Sequence, residues 1–191
     1  MNSINHLIEC LIEAKINKLI LISTIAVYPN PINVDEDSQI DNAKLNYYGQ
    51  NRLNLELQLK KRFKTTILRL PALFGNGLKK NVLYDLIHKK HLDSINLEST
   101  YQFYNLDNLT KDIDNAIKHN LNLLNLATEP IKLAEILKSC FDYKIKGNLK
   151  ASLRKENMLS KYSKILNKEN NYLYMKNEIL DDLKEFIISQ K

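Results

Sequence analysis

The sequence has few glycines, and their spacing limits the ligands that it can hold. Its 191 residues include only four, Gly49, Gly75, Gly77 and Gly147. A turn that brings the main chain close to the pyrophosphate of a dinucleotide needs several closely spaced glycines between a strand and a helix. Because no segment has this spacing, we expect no such turn in these residues.

Cysteines and long apolar runs are also scarce. The two cysteines, Cys10 and Cys140, are far apart and form no Cys-x-x-Cys motif, which favours free, buried thiols in a reducing cytoplasm. No window approaches about 18 consecutive apolar residues, so no membrane span is predicted. The first residues have neither the basic leader nor the cleavage site of a signal peptide. We therefore expect a mature, cytoplasmic protein with no membrane partner.

Charge and histidine placement weigh against two further kinds of site. The net charge of +6 permits an anionic partner, but the lysines are scattered and form only short pairs. Since a nucleic-acid surface needs basic residues clustered on one face, we predict a phosphorylated small molecule rather than nucleic acid. No metal site is predicted, because metal-ligand spacing is lacking among the four histidines, His6, His88, His91 and His119.

Apolar periodicity predicts an α/β fold. Residues 4–14 carry apolar positions at helical spacing, whereas "KLILIST" (18–24) and "TTILRL" (65–70) are short continuous apolar runs. Such runs are typical of strands buried on both faces of a parallel sheet. With a helix at 46–62 between them, they form a βαβ unit. Further helices are predicted at 81–91, 106–120, 130–141 and 170–190, further strands at 100–105 and 121–128, and a loop at 27–44.

Three residues of this unit suggest acid–base chemistry. Tyr48 and Arg52 are four positions apart on the predicted helix and therefore share one face. A free phenol ionises only at a pH of about 10, and an adjacent cation brings tyrosine toward useful proton transfer. Thr24 ends the first strand, where ligands bind in open α/β sheets. Taken alone, such a pair more often reflects surface packing, with Arg52 bonding to Glu56 one turn further on. Tyr47 is predicted to pack.

Three motifs follow one another in a distinctive order. They are "ISTIAVY" at 22–28, "YYGQNRLNLE" at 47–56 and "ILRLPALFGNG" at 67–77. In this order and at these separations they resemble the extended short-chain dehydrogenase/reductase family, the NAD-dependent epimerases and dehydratases of nucleotide sugars. The likeness covers residues 18–78 well. The positions that match the family pattern are Thr24, Tyr48, Glu56, Arg69, Gly75 and Gly77.

The resemblance implies a fold and an activity. Residues 1–77 would form the C-terminal half of a Rossmann-like NAD(P)-binding domain with a partial parallel sheet. Residues 78–191 would form a small mixed substrate-binding lobe with C-terminal helices. The activity would be epimerisation, dehydration or reduction of a nucleotide sugar, with NAD or NADP as the cofactor.

The resemblance also implies roles for individual residues. Tyr48 would be the acid/base, Thr24 would hold the same sugar oxygen, and Arg52 would take the place of the family's lysine. Lysines at a helix start suit phosphate, which adds the segment 79–81 to the substrate site. Cofactor contacts are expected from Ser23, Tyr48, Arg52 and Pro71, and substrate contacts from Thr24, Tyr28, Lys79, Lys80 and Asn81.

Departures from the family pattern leave three alternatives open. Arg52 keeps the charge of the lysine but differs in geometry, and the family's glycine turn is missing. The chain is interpreted as a truncated enzyme without the N-terminal cofactor-binding part, as an enzyme completed by a chain that supplies the missing strands, or as a non-catalytic binding or interaction module. A shortened parallel sheet would expose a strand edge and an apolar face, so we expect self-association unless a partner covers them.

Overall fold

Helices and strands alternate along the chain in a computed structural model that describes residues 3–166, 168 and 170–190. The fold is of the predicted α/β class. The helices are α1 (Ser3–Glu13), α2 (Tyr47–Arg62), α3 (Val82–Ile87), α4 (Leu109–Lys118), α5 (Leu133–Cys140) and α6 (Lys176–Ser189). The strands are β1 (Leu19–Thr24), β2 (Ile32–Val34), β3 (Thr65–Leu70), β4 (Ala72–Phe74), β5 (Thr100–Tyr101), β6 (Phe103–Asn105), β7 (Leu123–Asn125), β8 (Ile131–Lys132) and β9 (Asn157–Met158).

The main sheet consists of three parallel strands in the order β1–β3–β7. The central strand β3 is buried along nearly its whole length, as predicted. At the edge, Ile20 and Ile22 of β1 are 39% and 38% exposed. The prediction that this strand is buried on both faces is therefore wrong, because the described residues place no strand beyond it and cover one of its faces only in part.

Short strand pairs join the two halves of the chain. β2 pairs with β9 and β4 with β6, while β5 pairs with β8 within the second half. The segment predicted as loop at 27–44 thus contains a short strand. The β4–β6 pair crosses the predicted boundary between residues 1–77 and 78–191, and Phe74 and Phe103 of this pair are completely buried in one core. That domain boundary stays a prediction.

Three helices begin or end away from their predicted limits. α3 ends before residue 91 because Lys89 and His91 adopt left-handed φ angles of 53° and 50°. Pro130 precedes a strand rather than a helix, because β8 pairs with β5 and α5 begins only at Leu133. α6 begins at Lys176 rather than at 170. The predicted helices at 4–14 and 46–62 and the strand at 65–70 are confirmed. The helix predicted at 106–120 is a 3-10 turn over Leu106–Asn108 followed by α4. The strand predicted at 100–105 is divided into β5 and β6, which pair with different strands.

The two cysteines lie in different environments. Cys10 is exposed on α1, so the prediction of a buried thiol is wrong there. Cys140 is half-buried, and burial raises its pKa to about 11. Within the described part of the chain, no helix is both long and apolar enough to cross a membrane. The same residues include no group of three or more potential metal ligands from histidine, cysteine, aspartate and glutamate.

Candidate functional site

The glycine of "YYGQNR" lets α2 pack closely on the chain that leaves β1. A 3-10 turn, Ile25–Val27, follows β1, and Gly49 lies against it. A Cβ atom at Gly49 would be 2.4 Å from the main-chain oxygen of Ala26. Asn46 caps the helix, because its Oδ1 accepts a hydrogen bond from Gly49 N at 2.9 Å. The motif therefore fixes the start of α2 beside the carboxyl end of β1.

Thr24 ends β1 on the wall of a cavity of about 460 Å³. Its Oγ1 accepts a hydrogen bond from Ala26 N at 3.2 Å and so caps the 3-10 turn. Since a hydroxyl carries one proton as well as two lone pairs, the O–H of Thr24 remains able to donate to a ligand. The predicted role of Thr24 is chemically possible at this position and stays a prediction.

Both tyrosines of the motif are exposed. Tyr47 is 87% exposed and Tyr48 57% exposed. The packing predicted for Tyr47 is therefore wrong, because its side chain meets solvent at the first position of α2. Tyr48 does not line the cavity, but it precedes Gly49, which packs against Ala26 of the cavity wall.

Arg52 bonds to the main chain of β1. Its Nη2 donates to the carbonyl oxygen of Ile22, and its Nε is buried without a partner in the described part of the chain. Among the described residues, no hydrogen bond or ion pair joins Arg52 to Glu56. The carboxylate accepts from Arg69 instead, with Nη2 to Oε2 at 2.6 Å. The alternative pairing of Arg52 with Glu56 is therefore wrong.

A buried polar network engages two of the predicted site residues. Ser23 Oγ donates to Glu56 Oε1, Arg69 pairs with Glu56, and Arg69 Nη1 donates to Tyr28 Oη at 2.8 Å. All four side chains belong to residues no more than 5% exposed. Burial raises the pKa of Tyr28, although the Arg69 guanidinium acts to lower it. The network ties β1, α2 and β3 together, and binding roles for Ser23 and Tyr28 stay predictions.

The 460 Å³ cavity gathers predicted site residues from distant parts of the sequence. Thr24, Pro71, Lys80 and Asn81 all line it. It lies at the carboxyl ends of β1 and β3, the edge at which open α/β sheets bind ligands. Another cavity, of about 470 Å³, lies at the amino ends of the same strands and contains none of the predicted residues. The first cavity is therefore the candidate site.

The segment 79–81, which was predicted to contact phosphate, contributes the exposed Lys80 to this cavity. The Asn81 amide is engaged at both ends, since Oδ1 accepts from Tyr84 N at 3.0 Å and Nδ2 donates to Leu73 O at 2.8 Å. Lys79 lines a neighbouring cavity of about 360 Å³, together with Lys80 and Asn81. Lys80 is exposed and lines both cavities, so its charge is the one best placed to meet a ligand.

Arg154 brings a second cation, which the sequence analysis missed. Its main chain is held on β5, because Arg154 N donates to Ser99 Oγ at 3.1 Å and Thr100 N donates to Arg154 O at 2.9 Å. Its Nη1 lies 3.8 Å from Glu156 Oε1, and both residues line the cavity. Burial raises the pKa of the Glu156 carboxyl. One signal was available: the sequence has only four arginines among 28 basic residues.

Tyr101 also contributes to the cavity wall. Phe103, two residues further on, is completely buried in the core. The Tyr101 ring lies 5.8 Å from that of Phe103, and the residue is half-buried between the core and the cavity. Burial raises the pKa of Tyr101.

The glycines of the chain serve packing and turns rather than a pyrophosphate cradle. Gly49 permits the close approach of α2, and a Cβ at Gly147 would lie 2.9 Å from Leu97 Cγ. Gly75 and Gly77 have φ angles of 143° and 82° in the turn after β4. The described residues therefore do not fit NAD or NADP as a self-sufficient site, and no chemical step is assigned to either cofactor.

No protein-family model matches the sequence, and no curated protein matches it. Solved structures nevertheless share its fold. A UDP-glucose 4-epimerase from Thermotoga maritima, solved with UDP-glucose, has a TM-score of 0.69 at 16% identity over 95% of this chain. The UDP-glucose 4-epimerase of Bifidobacterium longum, solved with NAD+ and UDP, has a TM-score of 0.71 at 17% identity over 98%. The UDP-glucuronic acid 4-epimerase of Bacillus cereus, solved with UDP-glucuronic acid and NAD, has a TM-score of 0.70 at 18% identity over 98%.

The chain corresponds to only part of each of these solved structures. The chain spans 66% of the length of the first of these structures and 67% of the other two. At these identities the likeness concerns the fold alone. The resemblance found in the three motifs is thereby confirmed at the level of the fold, which is that of the NAD-dependent nucleotide-sugar epimerases.

Proposed function

From this shared fold, we propose that the chain binds a nucleotide-linked sugar in the 460 Å³ cavity, as the substrate-binding part of an NAD(P)-dependent epimerase- or dehydratase-like protein. One observation carries the proposal. Thr24, Pro71, Lys80 and Asn81 were selected from the sequence alone, and all four line this one cavity. Its volume lies in the range of about 300–1,000 Å³ that is usual for small-molecule sites.

Two cations at the cavity can meet a diphosphate ester, although Asp85 and Glu156 also line it. Lys80 and Arg154 provide two cations from different segments, and an arginine fork can bind two phosphate oxygens together. The hydroxyl of Thr24 can donate to a sugar oxygen. Tyr48 is the proposed acid/base, because it lies next to the contact between α2 and the cavity wall.

A second candidate is a binding module that holds the same ligand without turning it over. Two observations favour it. The glycines do not form a dinucleotide cradle, and the Arg52 guanidinium bonds to Ile22 O rather than being free for a ribose. In a third arrangement, another chain supplies the missing strands and the dinucleotide site.

Calorimetric titration with UDP-glucose, UDP and glucose tests the proposal. We expect saturable binding of the two nucleotides and none of glucose alone. Arg154→Ala should weaken binding about tenfold or more, since a hydrogen bond to a charged group contributes about 1.5–3 kcal/mol and the exposure of Arg154 reduces this. Lys150→Ala is the matched control, because Lys150 is exposed outside the cavity. Absence of nucleotide binding, or equal effects of both variants, would overturn the proposal.

Titration with NAD and the variant Tyr48→Phe distinguish the remaining alternatives. We expect no saturable binding of NAD to the chain alone, and a tight stoichiometric complex would contradict the misfit described above. Tyr48→Phe should leave UDP-glucose affinity unchanged. If product chromatography with added NAD detects turnover, that variant should abolish it, as expected for an enzyme. Binding without turnover in the wild type supports the module.

A further inference from the structure

Glu36 connects the first half of the chain to the second. It lies in the loop that follows β2, and its half-buried carboxylate accepts three hydrogen bonds. Oε1 accepts from Asn125 N at 2.8 Å and from Ser160 Oγ at 2.7 Å, and Oε2 accepts from Lys161 N at 2.9 Å. Asn125 and Ser160 are completely buried. Because hydrogen bonds to a carboxylate are stronger than those between neutral groups, this one side chain fixes two distant segments to the loop.

One of these segments continues directly into the wall of the candidate site. Ser160 and Lys161 follow β9, while Arg154 and Glu156, which line the 460 Å³ cavity, precede it. β9 pairs with β2 over only a few residues, and the register of the pair is irregular. A two-stranded pair this short is marginally stable by itself. The bonds from Ser160 and Lys161 to Glu36 lie directly beyond the pair and therefore stabilise it.

The loop that carries Glu36 is also bonded to a residue of the facing wall. A cavity of about 280 Å³ is lined by Tyr28 from the first half of the chain and by Arg154 and Glu156 from the second. The latter two residues also line the 460 Å³ cavity, so the two spaces adjoin. Tyr28 Oη donates to the carbonyl oxygen of Asp35 at 2.8 Å, and Asp35 directly precedes Glu36. The loop is therefore attached to both halves at the place where they meet beside the candidate site.

We propose that Glu36 is a positioning residue for this site: its carboxylate connects the two halves beside Arg154 and so presents that guanidinium to a ligand in the cavity. β5 fixes the main chain of Arg154 within the second half only. The side chain of Arg154 is more than half exposed, so its place relative to Thr24 depends on how the halves are connected nearby. This inference rests on the proposed function, because Arg154 is taken there to meet the ligand.

Calorimetric titration of the full chain with UDP-glucose tests the positioning role. Glu36→Ala removes all three bonds, and it should weaken binding by about fivefold or more, because bonds to a charged group are lost. Added to Glu36→Ala, the change Arg154→Ala should weaken binding by less than about twofold more, since the effects of residues that act together do not add. A side chain that only stabilises the fold would leave the effect of Arg154→Ala at its full size in the folded variant.

A neighbouring carboxylate provides the matched control. Asp37 is exposed, and its Oδ1 accepts from the side chain of Lys161 at 2.5 Å rather than from the main chain. Asp37→Ala should therefore bind UDP-glucose as the wild type does and keep the full effect of Arg154→Ala. Glu36→Gln preserves the size of the side chain but removes its charge. It should show the same loss of additivity in a milder form, which keeps the test decisive if the alanine variant folds poorly.

Hydrogen exchange without ligand separates this inference from the proposed function. The amides of Asn157 and Leu159 bond to carbonyl oxygens of the first half and not to Glu36. In Glu36→Ala they should exchange at least about tenfold faster, because local opening of the β2–β9 pair becomes easier. A wild type that binds no nucleotide would overturn the proposed function. Binding by the wild type, together with unchanged exchange of these amides or additive effects of Glu36→Ala and Arg154→Ala, would overturn the positioning role alone.

Discussion

Replacing Gly49 by alanine tests how α2 is fixed beside β1. The added Cβ would lie 2.4 Å from the main-chain oxygen of Ala26 and 3.1 Å from Leu45 Cδ2. The first neighbour is main chain, so either the helix or the 3-10 turn must shift. Overpacking of this kind costs about 1–3 kcal/mol, whereas alanine gains up to about 1 kcal/mol over glycine within a helix. We expect a net loss of about 1–2 kcal/mol, because the contact is too short to be relieved by a side-chain rotation.

Thermal and urea unfolding measure this loss. For a chain of this size each kcal/mol lowers the melting temperature by about 2–4 °C, so Gly49→Ala should melt about 2–8 °C below the wild type. Asn51→Ala is the control, because Asn51 is exposed on the same helix and should change stability by no more than about 0.5 kcal/mol. A Gly49→Ala variant as stable as the wild type would refute the close approach of α2 to Ala26.

Three further predictions follow from buried or exposed titratable groups. Glu56→Ala leaves Arg69 buried and unpaired, which should cost about 3–5 kcal/mol in urea unfolding. Burial raises the pKa of Glu156, so the folded chain binds a proton where the unfolded chain does not. Its free energy of unfolding should therefore fall as the pH rises through that window, and Glu156→Gln should weaken this dependence, leaving the part due to Asp112, whose pKa burial also raises. Iodoacetamide should modify exposed Cys10 before Cys140, whose pKa is raised to about 11.

Controls decide how these results are interpreted. Glu98 pairs with Lys132 at 3.1 Å, and both side chains are more than half exposed, so Glu98→Ala should cost no more than about 1 kcal/mol. An equal cost for Glu56→Ala would contradict a buried, structural ion pair. An unchanged pH dependence in Glu156→Gln, or faster modification of Cys140 than of Cys10, would contradict the environments described for these groups.

Local sequence pattern was sufficient for the elements that carry the motifs. α2 and β3 lie where helical spacing and apolar runs predicted them. The prediction for β1 held for its position and failed for its burial, because burial depends on which strands lie beside it. α3 ended early because Lys89 and His91 have left-handed φ angles. A sequence does not indicate such an angle at residues other than glycine.

Contacts between distant segments could not be predicted in the same way. Glu56 and Arg69 matched family positions, yet nothing local indicated that they pair with each other or that Arg52 turns to Ile22. Arg154 meets the cavity only because its main chain is held on β5, far away in the sequence. Arginine is rare in this chain, with four among 28 basic residues. Because its planar guanidinium serves sites where lysine is a poor substitute, this rarity was the signal that could have indicated Arg154.

The central claim is that a nucleotide sugar binds at the carboxyl ends of β1 and β3. Amide chemical-shift mapping during a UDP-glucose titration tests it most directly. The account predicts saturable shifts concentrated around Thr24, Lys80 and Arg154. Shifts concentrated around Lys18 and Lys64, in the cavity at the amino ends of the strands, would contradict it, as would the absence of any saturable shift.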